Sequence, residues 1–211
     1  MLVRINPWNE QSFTEIDNVV QAGADLIMLP MWKHVDEVES FIKAVNCRAK
    51  TVLLLETREA EVCLDDVLEL NGIDEIHIGL NDLHLSYGLS FMFELLANGT
   101  VERICKKIAE KGIPYGFGGI ANLGMGALPA EKVIAEHYRL GSTRAILSRS
   151  FCDTSKVQDL KEVERIFEYN VKELRLFEET LKRYTQADFD RNRKEVIELV
   201  DEIVQTIKGK P

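Results

Sequence analysis

Six short apolar runs, each followed by a stretch of helical periodicity, limit what this chain can fold into. They lie at Leu2 to Asn6, Ala24 to Met31, Ala49 to Thr57, Glu75 to Gly79, Ile113 to Phe117 and Arg144 to Ser148. The second and third, A-D-L-I-M-L-P-M and A-K-T-V-L-L-L-E-T, are nearly unbroken in apolar residues, as strands covered on both faces of a parallel sheet must be. The segments between them, Phe13 to Gln21, Val35 to Val45, Val62 to Leu70 and Val101 to Glu110, are amphipathic and carry enough residues for right-handed crossovers. A βα unit repeated six times is therefore expected, in an α/β fold.

The spacing of these units suits either a (β/α) barrel or a doubly wound sheet. Gly79, Gly116, Gly118 and Gly119 do not form a G-x-G-x-x-G fingerprint after the first strand, which removes the main support for a dinucleotide-binding sheet. A barrel of the TIM type is the expectation, with six strands in place of eight. Beyond Phe151 the pattern becomes charged and helical. Leu160, Val163, Phe167, Val171, Leu174, Phe177, Leu181 and Tyr184 recur every three or four positions, and Thr185 to Asp188 reads as the cap of a second long helix. Residues 1–155 are thus expected to form the barrel portion and 156–211 a helical extension that covers the barrel's own core or a second subunit.

Composition narrows the partners. A formal net charge of -9 repels nucleic acid and anionic membrane, leaving small molecules or other proteins. No apolar stretch reaches the length of a membrane span, and the opening M-L-V-R-I-N-P-W has neither a basic leader nor a long apolar core, so a cytoplasmic location is expected. Cys47, Cys63, Cys105 and Cys152 are scattered singly and read as reduced thiols.

Sites in parallel α/β folds gather at the carboxyl ends of the strands. The residues there are Arg4 and Asn6, Pro30 and Met31, Glu56, Asn81 and Asp82 just past Gly79, the later glycines, and Ser148 with Arg149. Glu56 ends an apolar run, where a lone carboxylate is costly. With Asp82 from the neighbouring strand it would offer two oxygens to a hard divalent cation, water and substrate completing an octahedron. The competing readings are structural: an ion pair from Glu56 to Arg4 or Arg58, a helix cap at Glu56, or a loop cap at Asp82. Arg4 offers either a structural ion pair or a planar fork suited to a carboxylate substrate.

The words L-L-L-E-T-R-E-A and G-I-D-E-I-H-I-G-L-N-D-L, with Asp82 26 positions after Glu56, resemble the metal-binding signature of the HpcH/HpaI aldolase and citrate lyase β-subunit family. V-R-I-N and G-A-D-L-I-M-L-P-M are similar to that family's arginine strand and the strand after it, so the resemblance runs from Met1 to about Phe151. It implies a barrel of the phosphoenolpyruvate/pyruvate superfamily, with Mg²⁺ or Mn²⁺ (Co²⁺ as a further option) at Glu56 and Asp82. By the same resemblance Arg4 would polarise the keto oxygen, and backbone N–H groups around Leu80, Asn81 and Asp82 would hold the substrate carboxylate. The implied activity is carbon–carbon cleavage or formation on a 2-oxo acid through a pyruvate enolate, without a catalytic lysine.

The chain departs from that pattern in beginning almost at once with the arginine strand. Two βα units, including the loop that ordinarily carries an acid/base histidine, are expected to be missing through truncation or an internal start, or supplied by rearrangement or a partner. Such an open barrel, together with the long helices, favours a homo-oligomer. None of His34, His77, His84 and His137 is put forward as the replacement base. G-F-G-G-I-A-N-L-G-M-G is read as tight backbone packing rather than an anion cradle, Ser148 and Arg149 as candidates for a distal anionic group, and Trp8 with Asn9 as a covering loop. Two alternatives accompany the aldolase: a citrate-lyase-like enzyme acting on an acyl-CoA, and a metal- or ligand-binding relative without turnover.

Overall fold

A computed structural model describes residues 1–209. Its elements in order are β1 (Leu2–Arg4), α1 (Ser12–Gln21), β2 (Leu26–Leu29), α2 (Val35–Val45), β3 (Lys50–Leu55), α3 (Arg58–Val62), α4 (Leu64–Val67), β4 (Glu75–Ile78), α5 (Leu80–Ser86), α6 (Glu94–Ala97), α7 (Thr100–Glu110), β5 (Tyr115–Ile120), α8 (Ala130–Arg139), β6 (Arg144–Leu147), α9 (Leu160–Leu181) and α10 (Gln186–Lys208). All six expected strands are present. The segment expected to be helical from Val62 to Leu70 carries only the short α4, and a second short helix, α3, precedes it and ends at Val62.

The strands form one parallel sheet in the order β1-β2-β3-β4-β5-β6. Each new strand adds beside the last, with no reversal of direction across the sheet. A doubly wound sheet reverses at its switch point, so this winding is that of a barrel. The sheet is a curled half-barrel, a partial TIM-type barrel with a helical region after it. Among the described residues no strand pairs with the outer edge of β1 or of β6.

Same-handed crossovers put the helices on one face, and the side chains divide accordingly. Ile27, Leu29, Leu53, Leu55, Ile76 and Ile78 point outward and join the helices in one large core. The inner face carries the smaller cluster of Met28, Val52 and Leu54, with Leu26 against it. Each fully buried aliphatic side chain contributes about 1.5–3 kcal/mol, so the outer layer supplies most of the cohesion.

The helices take their places by the spacing of their apolar residues. In α7, Val101, Ile104, Cys105 and Ile108 recur every three or four positions and are all buried. α10 opens with the Thr185–Asp188 capping box and buries Val196, Val200 and Val204 along one stripe. It docks on α6 and α8 of its own chain, with Asn192 Nδ2 donating to Lys132 O at 3.1 Å and Glu136 Oε1 at 2.9 Å. α9 is fastened at Asn170, whose Nδ2 donates to Phe151 O at 2.7 Å. Of the segment expected as a helical extension, 156–211, the last two residues lie outside the described ones.

Candidate metal and substrate site

Strand register decides which residues share the inner face. Arg4 stands opposite Met28, and Met28 opposite Val52. Alternate residues of β3 face the same way, so Leu54 and then Glu56 follow Val52 inward. Across the next gap Leu54 stands opposite His77, and Gly79 N donates to Leu55 O at 2.8 Å, which brings Gly79 alongside Glu56.

Glu56 is buried, 4% exposed. Its Oε1 accepts the Met31 N–H at 3.0 Å. Met31 holds a left-handed backbone (φ 54°), uncommon for a residue with a side chain, and thereby turns the strand end of β2 so that this N–H meets the carboxylate. On the other side Gly79 leaves room: a Cβ there would lie 2.9 Å from both Cβ and Oε2 of Glu56. Neither expected ion pair forms, since among the described residues Glu56 has no cation within salt-bridge distance and Arg58 lies over the Tyr87 ring instead, 5.7 Å from its centroid. Nor is Glu56 the helix cap. Thr57 takes that place, its Oγ1 accepting Ala60 N at 3.1 Å and donating to Trp32 O at 2.8 Å.

Asp82 reaches Glu56 from the first turn of α5, not from a loop. It stands close enough for its negative charge to act on the Glu56 carboxyl. Burial pushes the Glu56 carboxyl up to about 7, the Met31 N–H draws it down, the negative charge of Asp82 raises it and Arg4 lowers it. Arg4 itself is exposed on the edge strand. The three residues singled out from strand ends are therefore brought together at the carboxyl end of the sheet, and on the β1 side the group opens to solvent. Leu80, Asn81 and Asp82 form the first turn of α5, where backbone N–H groups have no intrahelical acceptor.

The donor set fits a hard divalent cation: one carboxyl just past the end of β3, in a cradle that only glycine leaves open, and one from the first turn of α5. Among the described residues no group of three or more His, Cys, Asp and Glu could hold a metal ion, so water and substrate would complete such a shell. Cavities of about 640 Å³ between α8, β6 and α9, and of about 650 Å³ at the amino ends of β2 and β3, are bordered by none of Arg4, Glu56 and Asp82.

Most of the remaining candidates are occupied structurally. His84 is buried in α5 with Nδ1 against Leu80 O at 3.2 Å. His77 Nε2 meets Gly118 O at 3.0 Å, and His34 is the exposed residue before α2. His137 stacks on Phe117 with ring centroids 3.7 Å apart, its Nδ1 2.8 Å from Ser142 Oγ. A Cβ at Gly116 would meet Arg144 O at 2.2 Å and one at Gly118 would meet Leu80 at 2.9 Å, so these glycines serve close packing. Ser148 Oγ lies 2.8 Å from Ser150 Oγ, which accepts Asn122 N at 2.8 Å and ties the end of β6 to the loop after β5. Arg149 is exposed. Trp8 packs edge-on against Phe13, 5.4 Å between centroids, and Asn9 Oδ1 accepts Gln11 N at 2.8 Å ahead of α1.

No membrane-crossing helix is present among the described residues: none is long and apolar enough. No family model and no curated protein matches the sequence. Solved structures do. The citrate synthase SbnG matches with a TM-score of 0.58 at 19% identity, over 78% of this chain and 71% of that one. An HpcH/HpaI aldolase/citrate lyase family protein from Burkholderia cenocepacia J2315 matches with a TM-score of 0.56 at 16% identity, over 77% and 73%. The HpcH/HpaI aldolase from Desulfitobacterium hafniense DCB-2 matches with a TM-score of 0.57 at 14% identity, over 77% and 71%. The chain has the fold of these proteins, and the family named in two of them is the one its strand-end motifs resemble.

Proposed function

We propose that the protein is a divalent-metal-dependent lyase that cleaves or forms a carbon–carbon bond of a small 2-oxo acid through its enolate. The observation that carries this reading is the buried Glu56 carboxyl set beside Asp82 with no cationic side chain paired to it. Two neighbouring carboxyls repel once both ionise, and a doubly charged ion between them relieves both the repulsion and the burial. Mg²⁺ or Mn²⁺, with Co²⁺ as a further option, would supply Lewis acidity to the oxo and carboxylate oxygens of the substrate.

The chain's own residues then do three things. Glu56 and Asp82 hold the ion and, through Met31 N–H and the Gly79 cradle, fix its place. Arg4 presents a guanidinium fork to the oxygen on which negative charge grows during cleavage. The free N–H groups of Leu80, Asn81 and Asp82 at the start of α5 orient the substrate carboxylate. A pyruvate-sized acid, a homo-oligomeric assembly and a cytoplasmic setting belong to the same reading.

The test asks for the half-reaction alone. With Mn²⁺ or Mg²⁺ in heavy water, the methyl protons of pyruvate should exchange in the presence of the protein and stop exchanging on addition of a chelator. Metal binding without exchange would favour a binding role without turnover, and no metal binding would end the proposal.

A further inference from the structure

We propose that Glu61 and Tyr87 form a brace that sets the separation of the Glu56 and Asp82 carboxyls, and with it the tightness with which the pair holds a divalent cation; this rests on the reading of that pair as a metal site. The two carboxyls have unequal supports. Glu56 follows β3 in the middle of the sheet, whereas Asp82 rides on α5, a helix of only seven residues. So short a helix has little stability of its own, and its place is set by what it is tied to.

The ties run to α3, the helix that follows Glu56. Ser86 Oγ, at the end of α5, accepts the Arg58 N–H at 2.8 Å. The Tyr87 hydroxyl donates to Glu61 Oε2. The other oxygen of Glu61 accepts from Arg103 Nη2 at 2.5 Å and Nε at 3.2 Å, so one carboxylate joins α3 to both α5 and α7. The Arg58 guanidinium closes the cluster over the face of the Tyr87 ring. Glu61 is only 11% exposed in its side chain, which screens these contacts less than an open surface pair. Glu61 stands five residues after Glu56, and Tyr87 five after Asp82. A shift of one arm is therefore transmitted over a short, packed span to its carboxyl.

Two other ion pairs from α7, Lys107–Asp65 and Lys111–Glu69, each at 2.7 Å, have exposed carboxylates and do not touch α5. They provide the control. Calorimetric titration of the intact chain with Mn²⁺ and the EPR spectrum of the bound ion should be compared for wild type, Tyr87→Phe, Glu61→Gln and Asp65→Asn. Tyr87→Phe keeps the ring beneath Arg58 and removes only the hydroxyl. Both brace variants should bind Mn²⁺ about tenfold more weakly, with a broadened EPR signal, and Asp65→Asn should match wild type. Tyr87→Phe with wild-type affinity and line shape overturns the brace while leaving the metal site standing. Absence of Mn²⁺ binding by the wild type overturns the metal reading and the brace together. Should Glu61→Gln unfold, Tyr87→Phe alone decides.

Discussion

Glu56 and Gly79 face one another across adjacent strands so closely that a methyl group on Gly79 would lie 2.9 Å from Glu56 Oε2. Gly79 has an ordinary negative φ, so its backbone does not require glycine. The carboxylate does.

Gly79→Ala should therefore push the Glu56 carboxyl out of its cradle. Overpacking at such a point costs about 1–3 kcal/mol. Thermal unfolding should register that loss, and calorimetry should find Mn²⁺ binding weakened or gone. An alanine variant with wild-type affinity would show that the cradle is immaterial.

The metal-free protein should lose stability as pH rises through the Glu56 transition. Its carboxyl is raised from 4.5 to about 7, so the folded state binds more protons than the unfolded state between those values. The contribution is fully present below pH 4.5 and is lost on the way to pH 7. Glu56→Gln should flatten this slope and melt higher than the metal-free wild type at pH 8. Saturating Mg²⁺ or Mn²⁺ should raise the wild-type melting point there, by about 2.7 kcal/mol of stability at a hundred times Kd, and leave the variant unmoved.

His137 has the opposite sign. Burial pushes it down from 6.5 to about 3, so the unfolded state takes up the proton first as pH falls. Stability is intact above pH 6.5 and declines from there toward pH 3. Replacing His137 with Gln removes the titrating ring while keeping a polar group near Ser142 Oγ, and denaturant titrations from pH 7 to 4 should then show a shallower acid limb. An unchanged slope would assign the acid limb to other groups.

Arg139 joins Glu136 at 2.8 Å to Glu102 at 3.1 Å, and Glu136 also receives Asn192 from α10. Glu136 is 1% exposed, so Glu136→Ala takes a buried acceptor from both Arg139 and Asn192 and leaves Arg139 with Glu102 alone. A cost of about 3 kcal/mol is expected in urea unfolding, whereas Lys182→Ala on the exposed Lys182–Glu179 pair should leave the midpoint nearly unmoved.

Arg4→Lys keeps the charge and removes the planar fork. Under the proposed reaction, pyruvate proton exchange should fall by about 10²–10³-fold while Mn²⁺ affinity stays close to wild type. Equal loss of both would place Arg4 in ion binding rather than at the substrate.

Much of this molecule is readable along the chain because local periodicity reports burial. The doubly covered strands β2 and β3 read as unbroken apolar runs, α7 shows its buried stripe at helical spacing, and Thr185 with Asp188 announces the start of α10. Strand ends likewise pointed to Arg4, Glu56 and Asp82, because a parallel sheet puts its polar residues where the apolar runs stop. Local pattern carries no information about partners distant in sequence. Whether Glu56 met Arg4, Arg58 or Asp82 depended on strand register and on where α5 came to rest, and the helix at Leu80–Ser86 is too short to show a period of its own. The Met31 N–H, the open space at Gly79 and the Glu61–Tyr87–Arg103 cluster arise from residues brought together across strands and helices. Sequence alone determined the alternation of strand and helix and the residues at the strand ends; the winding of six strands side by side decided which of them touch, since contact is a property of register and packing that no single segment encodes.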